Sequence, residues 1–216
     1  MIRLLLVDDQ ELFLQGLAMI LESQEGLEVV GTALDGEQAI ARTRELQPDV
    51  VLMDIRMPVL DGVSATAAIR RESPEPPPHV IVLTTIRHDE AVVDALRAGA
   101  SGFLLKDARP EFLVQSIRAV VEGQQVIAPA ETFDLLRAFA PVRPAPDASI
   151  LAELTERERE LFALAARGLS NADIARQLWV AETTVKTHMR AILTKLGVAS
   201  RVQLIALAYE HRLIEV

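Results

Sequence analysis

The chain lacks cysteine altogether among its 216 residues, which excludes a disulfide scaffold and any chemistry that needs a thiolate. No apolar run approaches the roughly 18 residues that a membrane span requires. The short apolar stretch before Asp8 lacks the cleavage site of a secretory signal. We therefore expect a cytoplasmic protein. Lysine is also scarce, since the chain has 19 arginines but only three lysines, Lys106, Lys186 and Lys195.

Apolar residues make up 50% of the chain, which is ample for a packed core and excludes disorder as the main state. The formal net charge is −9, and averaged over the chain it argues against a nucleic-acid partner, because such binding depends largely on Lys and Arg. However, residues 1–124 carry a net charge of −9, residues 125–149 carry −1 and residues 150–216 carry +1. The acidity therefore belongs almost entirely to the first segment, and it excludes no nucleic-acid partner for the last.

Residues 1–122 show the pattern of a parallel sheet that is covered by helices on both faces. Between five short apolar runs lie stretches whose apolar residues recur with helical spacing. Nearly continuous apolar strands that alternate with amphipathic helices predict a doubly wound α/β domain with a five-stranded parallel sheet. The predicted strands are Leu4–Val7, Glu28–Val30, Val50–Met53, Val80–Leu83 and Gly102–Leu105.

A proline-rich segment separates this domain from the rest of the chain. Pro141, Pro144 and Pro146 predict a semi-extended linker. A short helix, Ala130–Phe139, is expected just before these prolines. We therefore assign residues 123–149 to a linker that contains a short helix.

Residues 150–216 are predicted to form a separate all-α domain of four helices, of which the middle two match a helix-turn-helix. Thr155 and Glu158 have the spacing of a capping box at the start of the first helix. Trp179 lies in the tight turn between the second and third helices, where we expect it to fill the core. The predicted helices are 155–166, 171–178, 182–196 and about 200–211.

Polar residues follow four of the five predicted strands, at the edge where ligands collect in an open parallel sheet. Each of them alone is more often an ordinary turn residue, strand-end residue or helix cap, but their joint occurrence favours a site. The residues are Asp8, Asp9, Asp54, Thr84 and Lys106.

Three carboxylates in one pocket repel one another, by about 4 kcal/mol for a pair ~4 Å apart at an effective dielectric of about 20. Either one carboxyl group stays protonated or a cation binds. An all-oxygen site with few protein ligands suits Mg²⁺. A carboxylate beside Mg²⁺, a lysine and a hydroxyl group is suited to accept a phosphoryl group, with the carboxylate as the nucleophile.

Four short motifs surround these residues, namely Val7-Asp8-Asp9, Met53-Asp54-Ile55-Arg56-Met57-Pro58, Leu83-Thr84-Thr85 and Gly102-Phe103-Leu104-Leu105-Lys106-Asp107. In residue type and in spacing, residues 1–122 resemble a response-regulator receiver domain. The resemblance implies a flavodoxin-like fold in which Asp54 is the phosphoacceptor.

The same resemblance implies roles for the other site residues. Lys106 would pair with the phosphoryl oxygens, and Thr84 and Phe103 would move together as the switch. Many receivers have a proline directly after the lysine, whereas this chain has Asp107 there. We interpret this departure as a feature of the subtype. The Mg²⁺ ligands would be Asp8, Asp9, Asp54 and the backbone carbonyl of Arg56.

The predicted helix 182–196 combines an apolar face with a cationic outer face. No acidic residue follows Glu182 within the helix, which also carries two of the three lysines. Polar residues opposite an apolar stripe are usually only solvated, but this distribution of charge favours contact with an anion. The apolar positions are Val185, Met189, Ile192, Leu193 and Leu196.

Several motifs of residues 154–211 carry a second resemblance: Leu154-Thr155-Glu156-Arg157-Glu158, Gly168-Leu169-Ser170-Asn171, Thr184-Val185-Lys186-Thr187-His188 and Lys195-Leu196-Gly197-Val198. This segment resembles a LuxR-type helix-turn-helix, which implies that helix 182–196 enters the major groove of DNA. Lys186, Thr187 and Arg190 are then the candidates for base contacts. Thr184, His188 and Lys195 are the candidates nearer the phosphates.

Ala181 departs from the LuxR-type pattern, which usually has serine there as the N-cap of the DNA-facing helix. Alanine has no side-chain acceptor for the first backbone N–H groups, at a cost of about 1 kcal/mol.

Together the two resemblances identify the chain as similar to bacterial two-component response regulators of the NarL/FixJ type. They imply that a sensor histidine kinase phosphorylates Asp54 and that phosphorylation promotes homodimerisation, promoter binding and control of transcription. The protein would catalyse only its own phosphorylation and dephosphorylation.

Two other functions fit these residues less well. A phosphatase could use Asp54 as its nucleophile, but Arg56 occupies the position two residues on where a general acid would be needed. An unphosphorylated dimerisation module would not need the full set of polar residues at the strand ends.

Overall fold

The computed structural model describes residues 1–73, 76–85, 90–122, 148–198, 200–211 and 213. The predicted helix Ala130–Phe139 and almost all of the predicted linker lie outside the described residues. Within the described ranges, no helix is both long enough and apolar enough to cross a membrane.

The N-terminal domain contains a five-stranded sheet in which every neighbouring pair of strands is parallel and the order is β2-β1-β3-β4-β5. The predicted doubly wound α/β architecture is confirmed. The strands are β1 (Ile2–Val7), β2 (Leu27–Ala33), β3 (Val50–Asp54), β4 (His79–Thr84) and β5 (Gly102–Leu105). The helices are α1 (Glu11–Glu22), α2 (Gly36–Leu46), α3 (Gly62–Glu72), α4 (Glu90–Arg97) and α5 (Pro110–Val121).

The sheet is buried on both faces, which explains why its strands read as almost continuous apolar runs. Successive side chains of a strand point to opposite faces. Leu4 and Leu6 of β1 therefore pack in a core with α1 and α5, whereas Leu5 and Val7 pack in a second core with α2, α3 and α4.

Strand β2 is longer than its predicted range, Glu28–Val30. It lies at the edge of the sheet, and both Glu28 and Thr32 are exposed there. Because an edge strand tolerates solvent-facing polar residues, its apolar run is shorter than the strand itself.

The C-terminal domain begins with a 3₁₀ turn, Ala148–Leu151, and continues with helices that match the predicted ones to within one residue at each end. The capping box is confirmed: Thr155 Oγ1 accepts the N–H of Glu158 (3.3 Å), and Glu158 Oε2 accepts the N–H of Thr155 (2.8 Å). The helices are α6 (Glu156–Ala166), α7 (Asn171–Leu178), α8 (Glu182–Lys195) and α9 (Arg201–Glu210).

Ala181 is the N-cap residue of α8 and makes no side-chain hydrogen bond. Its backbone is already extended, with φ −70° and ψ 146°, which is the geometry of a capping serine. We expect Ala181→Ser to stabilise the C-terminal domain by about 1 kcal/mol. Thermal unfolding followed by circular dichroism would measure this gain, and an unchanged melting temperature would contradict the capping argument.

The prediction that Trp179 fills the core is wrong, because its side chain is 94% exposed. Trp179 is the C-cap residue of α7 and adopts a left-handed conformation, with φ 55°. This conformation ends α7 and begins the turn to α8, and the indole ring lies in solvent.

Helix α9 lies against the end of α4, so the two domains are in contact. The Ser200 hydroxyl donates to the carbonyl of Ala100 (3.2 Å), and the Gln203 side-chain amide donates to the carbonyl of Arg97 (2.9 Å). The Ser200 hydroxyl also accepts the backbone N–H of Gln203 (3.3 Å). The Ser200 side chain thus caps α9 and also joins this helix to the N-terminal domain.

Candidate functional site

The carboxyl ends of the central strands bring three predicted acidic residues together. Asp8 follows β1, Asp54 ends β3, and both are buried, whereas Asp9 is exposed. One carboxylate oxygen from each of the three lies within 4.8 Å of the others. Carboxylate oxygens at this separation are the donors that Mg²⁺ prefers, so the residues present fit that ion.

The ammonium group of Lys106 lies among these carboxylates. Lys106 Nζ is 2.5 Å from Asp8 Oδ2 and 3.1 Å from Asp54 Oδ1. The backbone N–H of Lys106 donates to the carbonyl of Thr84 (2.8 Å), which joins the ends of β4 and β5. The lysine is therefore held at the same sheet edge as the acidic residues.

Burial and charge act in opposite directions on Asp54. Burial raises the pKa of this carboxyl group above its usual range, the positive charge of Lys106 lowers it, and the negative charge of Asp8 raises it again. Burial alone would lower the pKa of Lys106, but its hydrogen bond to Asp8 and the charges of the two aspartates raise it overall. Lys106 therefore stays protonated and offsets part of the burial cost of the Asp54 carboxylate.

Phe103 and Thr84 are buried beside this edge, on β5 and β4. Arg56, whose carbonyl is a predicted metal ligand, has an exposed side chain in the loop after β3. The roles of these residues stay predictions.

Gly62, the first residue of α3, packs against the backbone of Asp54 at the end of β3. Its N–H donates to the carbonyl of Ile55 (2.9 Å), and a Cβ atom at position 62 would lie 1.9 Å from the backbone oxygen of Asp54. Gly62 was not among the residues predicted for the site. Only a residue without a side chain allows α3 to start this close to the end of β3.

We expect Gly62→Ala to destabilise the N-terminal domain by about 1–3 kcal/mol, because the added methyl group forces the Asp54 backbone to move. The matched control is Gly16→Ala in α1, where a Cβ atom meets nothing within 4 Å. That change removes a glycine from a helix interior and should be neutral or stabilising by up to about 1 kcal/mol. Urea unfolding measures both, and equal effects would contradict the steric explanation.

Phe13 is part of the site, although no sequence motif indicated it. Its ring centroid lies 5.0 Å from Lys106 Nζ. Phe13 lies in the first turn of α1 and is half-buried against the core formed with α5. Its position four residues after Asp9, in the helix that follows the aspartate pair, was the available signal.

The outer face of α8 carries the predicted DNA-contacting residues, and Val185, Met189 and Ile192 bury the opposite face. None of these predicted residues is buried: Thr184, Thr187, Arg190 and Lys195 are exposed, and Lys186 and His188 are half-exposed. The structure therefore presents the predicted set on one accessible helix.

Two of the three lysines of the chain pair with glutamates in this domain. Lys186 Nζ lies 3.5 Å from Glu182 Oε1, which is a solvent-exposed contact. Lys195 Nζ donates to Glu158 Oε2 (2.6 Å) and so ties the end of α8 to the capping box of α6. Lys195 thus has a structural contact, and its predicted contact with phosphate stays a prediction.

The contacts of Glu158 predict a loss of stability in acid. The hydrogen bond from Lys195 and the backbone N–H of Thr155 lower the pKa of Glu158 from 4.5 to about 2. A carboxyl group whose pKa is lowered by folding stabilises the fold above its unfolded pKa, and this contribution is lost as the pH falls from about 4.5 towards 2. We expect the stability difference between the native chain and Glu158→Gln to shrink over this range.

Urea unfolding at pH 6, 4 and 3 would measure that difference. Glu153→Gln is the matched control, because Glu153 is exposed on the same domain. If the stability difference between the native chain and Glu158→Gln stays constant with pH, the lowered pKa of Glu158 is contradicted.

Both domains match known protein families. Residues 4–118 match the family described as "Response regulator receiver domain", and residues 152–208 match "Bacterial regulatory proteins, luxR family". The chain is 39% identical to the transcriptional regulatory protein LnrK of Bacillus subtilis (strain 168), over 94% of each chain.

Two solved structures extend these likenesses. The crystal structure of the response regulator ChrA from a heme-sensing two-component system is 37% identical, with a TM-score of 0.53, over 99% of this chain and 98% of that chain. The structure of the two-component response regulator RcsB–DNA complex is 25% identical, with a TM-score of 0.56, over 96% of this chain and 98% of that chain.

Proposed function

The chain belongs to the NarL/FixJ-type response regulators, which join a receiver domain to a LuxR-type DNA-binding domain, and from this we propose that phosphorylation of Asp54 controls its binding to promoter DNA. It is a two-component transcriptional regulator, not an enzyme with external substrates. We place it in the cytoplasm, where DNA and the phosphoryl donor are available.

A sensor histidine kinase is the proposed donor. A carboxylate oxygen of Asp54 attacks the donor's phosphorus, the bond between phosphorus and the leaving group breaks, and the leaving group departs with the electron pair. The ammonium group of Lys106 stabilises the negative charge on the transferring oxygens. The receiver would thereby catalyse only its own phosphorylation and dephosphorylation.

The metal site would be formed by Asp8, Asp9 and Asp54, with the carbonyl of Arg56. Bound Mg²⁺ would supply positive charge to the transferring phosphoryl oxygens. The observation that supports this ion is the approach of three carboxylate oxygens to within 4.8 Å of one another.

The phosphoryl group carries up to about two negative charges, and because Asp54 gives up its own carboxylate charge in forming the acyl phosphate, the site gains about one. We propose that Thr84 then turns towards the phosphate, that Phe103 moves with it, and that the surface formed by α4 and β5 changes. This surface also contacts α9, through Ala100 and Arg97. A signal at Asp54 would thus reach a surface that the DNA-binding domain touches.

The DNA-binding step would place α8 in the major groove. We propose that Lys186, Thr187 and Arg190 contact bases, and that the phosphate contacts come from Thr184, His188 and Lys195. Contacts to bases specify sequence, whereas contacts to phosphates position the helix.

Dimerisation is the proposed consequence of phosphorylation. The DNA-binding segment 150–216 has a net charge of only +1, so one protomer is expected to bind DNA weakly. Two protomers would place two copies of α8 on half-sites about one helical turn of DNA apart.

The single observation that carries this proposal is the contact of Lys106 Nζ with both Asp8 and Asp54 at the strand ends. Beryllofluoride, which mimics a phosphoryl group on a carboxylate, should raise both dimerisation and DNA affinity in the presence of Mg²⁺. Sedimentation and selection of bound genomic fragments would measure these effects, and the control omits Mg²⁺. Equal dimerisation and DNA retention with and without beryllofluoride would exclude the proposed switch.

A further inference from the structure

We infer that Phe13 is a positioning residue for Lys106, whose ammonium group it holds at the phosphoryl-transfer site through the face of its ring. The inference rests on the proposed phosphorylation of Asp54. The distance of 5.0 Å between Lys106 Nζ and the ring centroid lies within the roughly 6 Å over which a cation is attracted to an aromatic face. Phe13 belongs to none of the motifs that identify the receiver.

Burial strengthens this contact. The Lys106 side chain is only 10% exposed, so little water competes for its ammonium group. A cation–π interaction is worth more at a desolvated position than at an exposed one. Helix α1 and the core beneath it hold the ring in place, because Leu14 and Leu17 on the same helix are buried.

The ring holds the ammonium group independently of the carboxylates. Asp8 and Asp54 hold Lys106 by ion pairs, but the same carboxylates are the proposed ligands of a divalent cation. Such a cation repels the ammonium group and competes with it for the two aspartates. The attraction of Phe13 does not use those carboxylates, so it persists when a metal ion occupies them.

The consequence concerns the rate of phosphoryl transfer. With acetyl phosphate as donor, a bond forms between an Asp54 oxygen and phosphorus, the bond between phosphorus and the acetyl oxygen breaks, and acetate leaves with the electron pair. Lys106 stays protonated and transfers no proton. An ammonium group that is already in place when this charge shifts lowers the barrier more than one that must first be ordered.

Fluorinated phenylalanines test the inference with almost no change of shape. Incorporation of 4-fluoro-, 3,5-difluoro- and 3,4,5-trifluorophenylalanine at position 13 progressively weakens the negative face of the ring. We expect the rate of phosphorylation by acetyl phosphate to fall stepwise, by about threefold at the trifluoro ring, with unchanged thermal stability. Phe112 on α5, which is 44% exposed, is the matched position, and its fluorination should leave the rate unchanged.

The scarcity of lysine gives a second readout that does not depend on activity. A chain labelled with ¹³C at the lysine ε position contains only three labelled side chains, and Lys186→Arg and Lys195→Arg identify the third signal as Lys106. We expect the ring to shift the Lys106 signal upfield both with and without Mg²⁺. In Phe13→Leu this signal should move towards the other two.

The outcomes separate the inference from the proposed function. Equal rates across the fluorinated series, or a Lys106 signal that is the same in Phe13→Leu, would overturn the positioning role. A native chain that accepts no phosphoryl group at Asp54 would refute the proposed function, and the lysine spectrum would still decide whether Phe13 holds Lys106.

Discussion

Replacing Asp54 by asparagine is expected to abolish the gain in dimerisation and DNA binding that we propose for the native chain after treatment with acetyl phosphate and Mg²⁺. The amide keeps the shape of the side chain but removes the nucleophilic carboxylate oxygen. Moving a two-state equilibrium from 1:99 to 99:1 requires about 5.5 kcal/mol of differential stabilisation. Without the phosphoryl group no such difference arises, so the loss should be complete.

Intact-protein mass spectrometry and sedimentation after treatment with acetyl phosphate would measure both effects. Asp107→Asn is the matched control, because Asp107 is exposed, lies next to Lys106 and loses the same charge. That variant should take up phosphate as the native chain does. An Asp54→Asn chain that still gains an acyl-type phosphate would assign the phosphoacceptor elsewhere.

Replacing Arg201 by methionine is expected to destabilise the C-terminal domain by about 3–5 kcal/mol, although Arg201 touches neither site. Its guanidinium group is buried and joins three parts of the domain. It donates to the Asn171 side chain (3.1 Å) and to the carbonyls of Ala165 (3.5 Å) and Leu169. Burial lowers the pKa of Arg201 only to about 10, so the group stays charged at neutral pH.

The size of this effect follows from what methionine leaves behind. The Asn171 side chain and the carbonyl of Leu169 would lose this donor inside the domain, at about 1–3 kcal/mol for each group. The carbonyl of Ala165 would keep the N–H of Gly168 (2.9 Å). Arg201→Lys keeps the charge but has one donor group in place of the planar fork, so its loss should be smaller.

Urea unfolding followed by circular dichroism would measure these losses. Arg167→Met is the control, because Arg167 is exposed at the end of α6 and should change stability by no more than about 0.5 kcal/mol. A loss of less than 1 kcal/mol for Arg201→Met would mean that solvent satisfies the abandoned acceptors.

The acidic site was predictable because parallel strands end at the same edge of the sheet. That rule places Asp8, Asp54 and Lys106 together from their strand positions alone, and the distances among them agree. Phe13 was missed because its contact depends on how α1 is rotated over the sheet. Gly62 was missed because its role is set by a close approach of two backbones.

In the C-terminal domain, too, local features were predictable from the sequence, whereas contacts between distant residues were not. The start of α6 was predictable, because capping is local and Thr155 and Glu158 form their capping box within one turn. The ion pair between Glu158 and Lys195 joins residues 37 positions apart, which no local pattern indicates. Trp179 was placed wrongly because an apolar side chain was assumed to point inwards, whereas the left-handed backbone turns it outwards.

The exposure of Trp179 also determines what fluorescence can report. It is the only tryptophan of the chain, and its indole is already in water in the folded state. Its emission should therefore change little on unfolding and would be a poor measure of stability. A molecule that covers the turn between α7 and α8 would instead remove water from the ring and shift its emission to shorter wavelength, so the same signal can follow the binding of DNA without any added label.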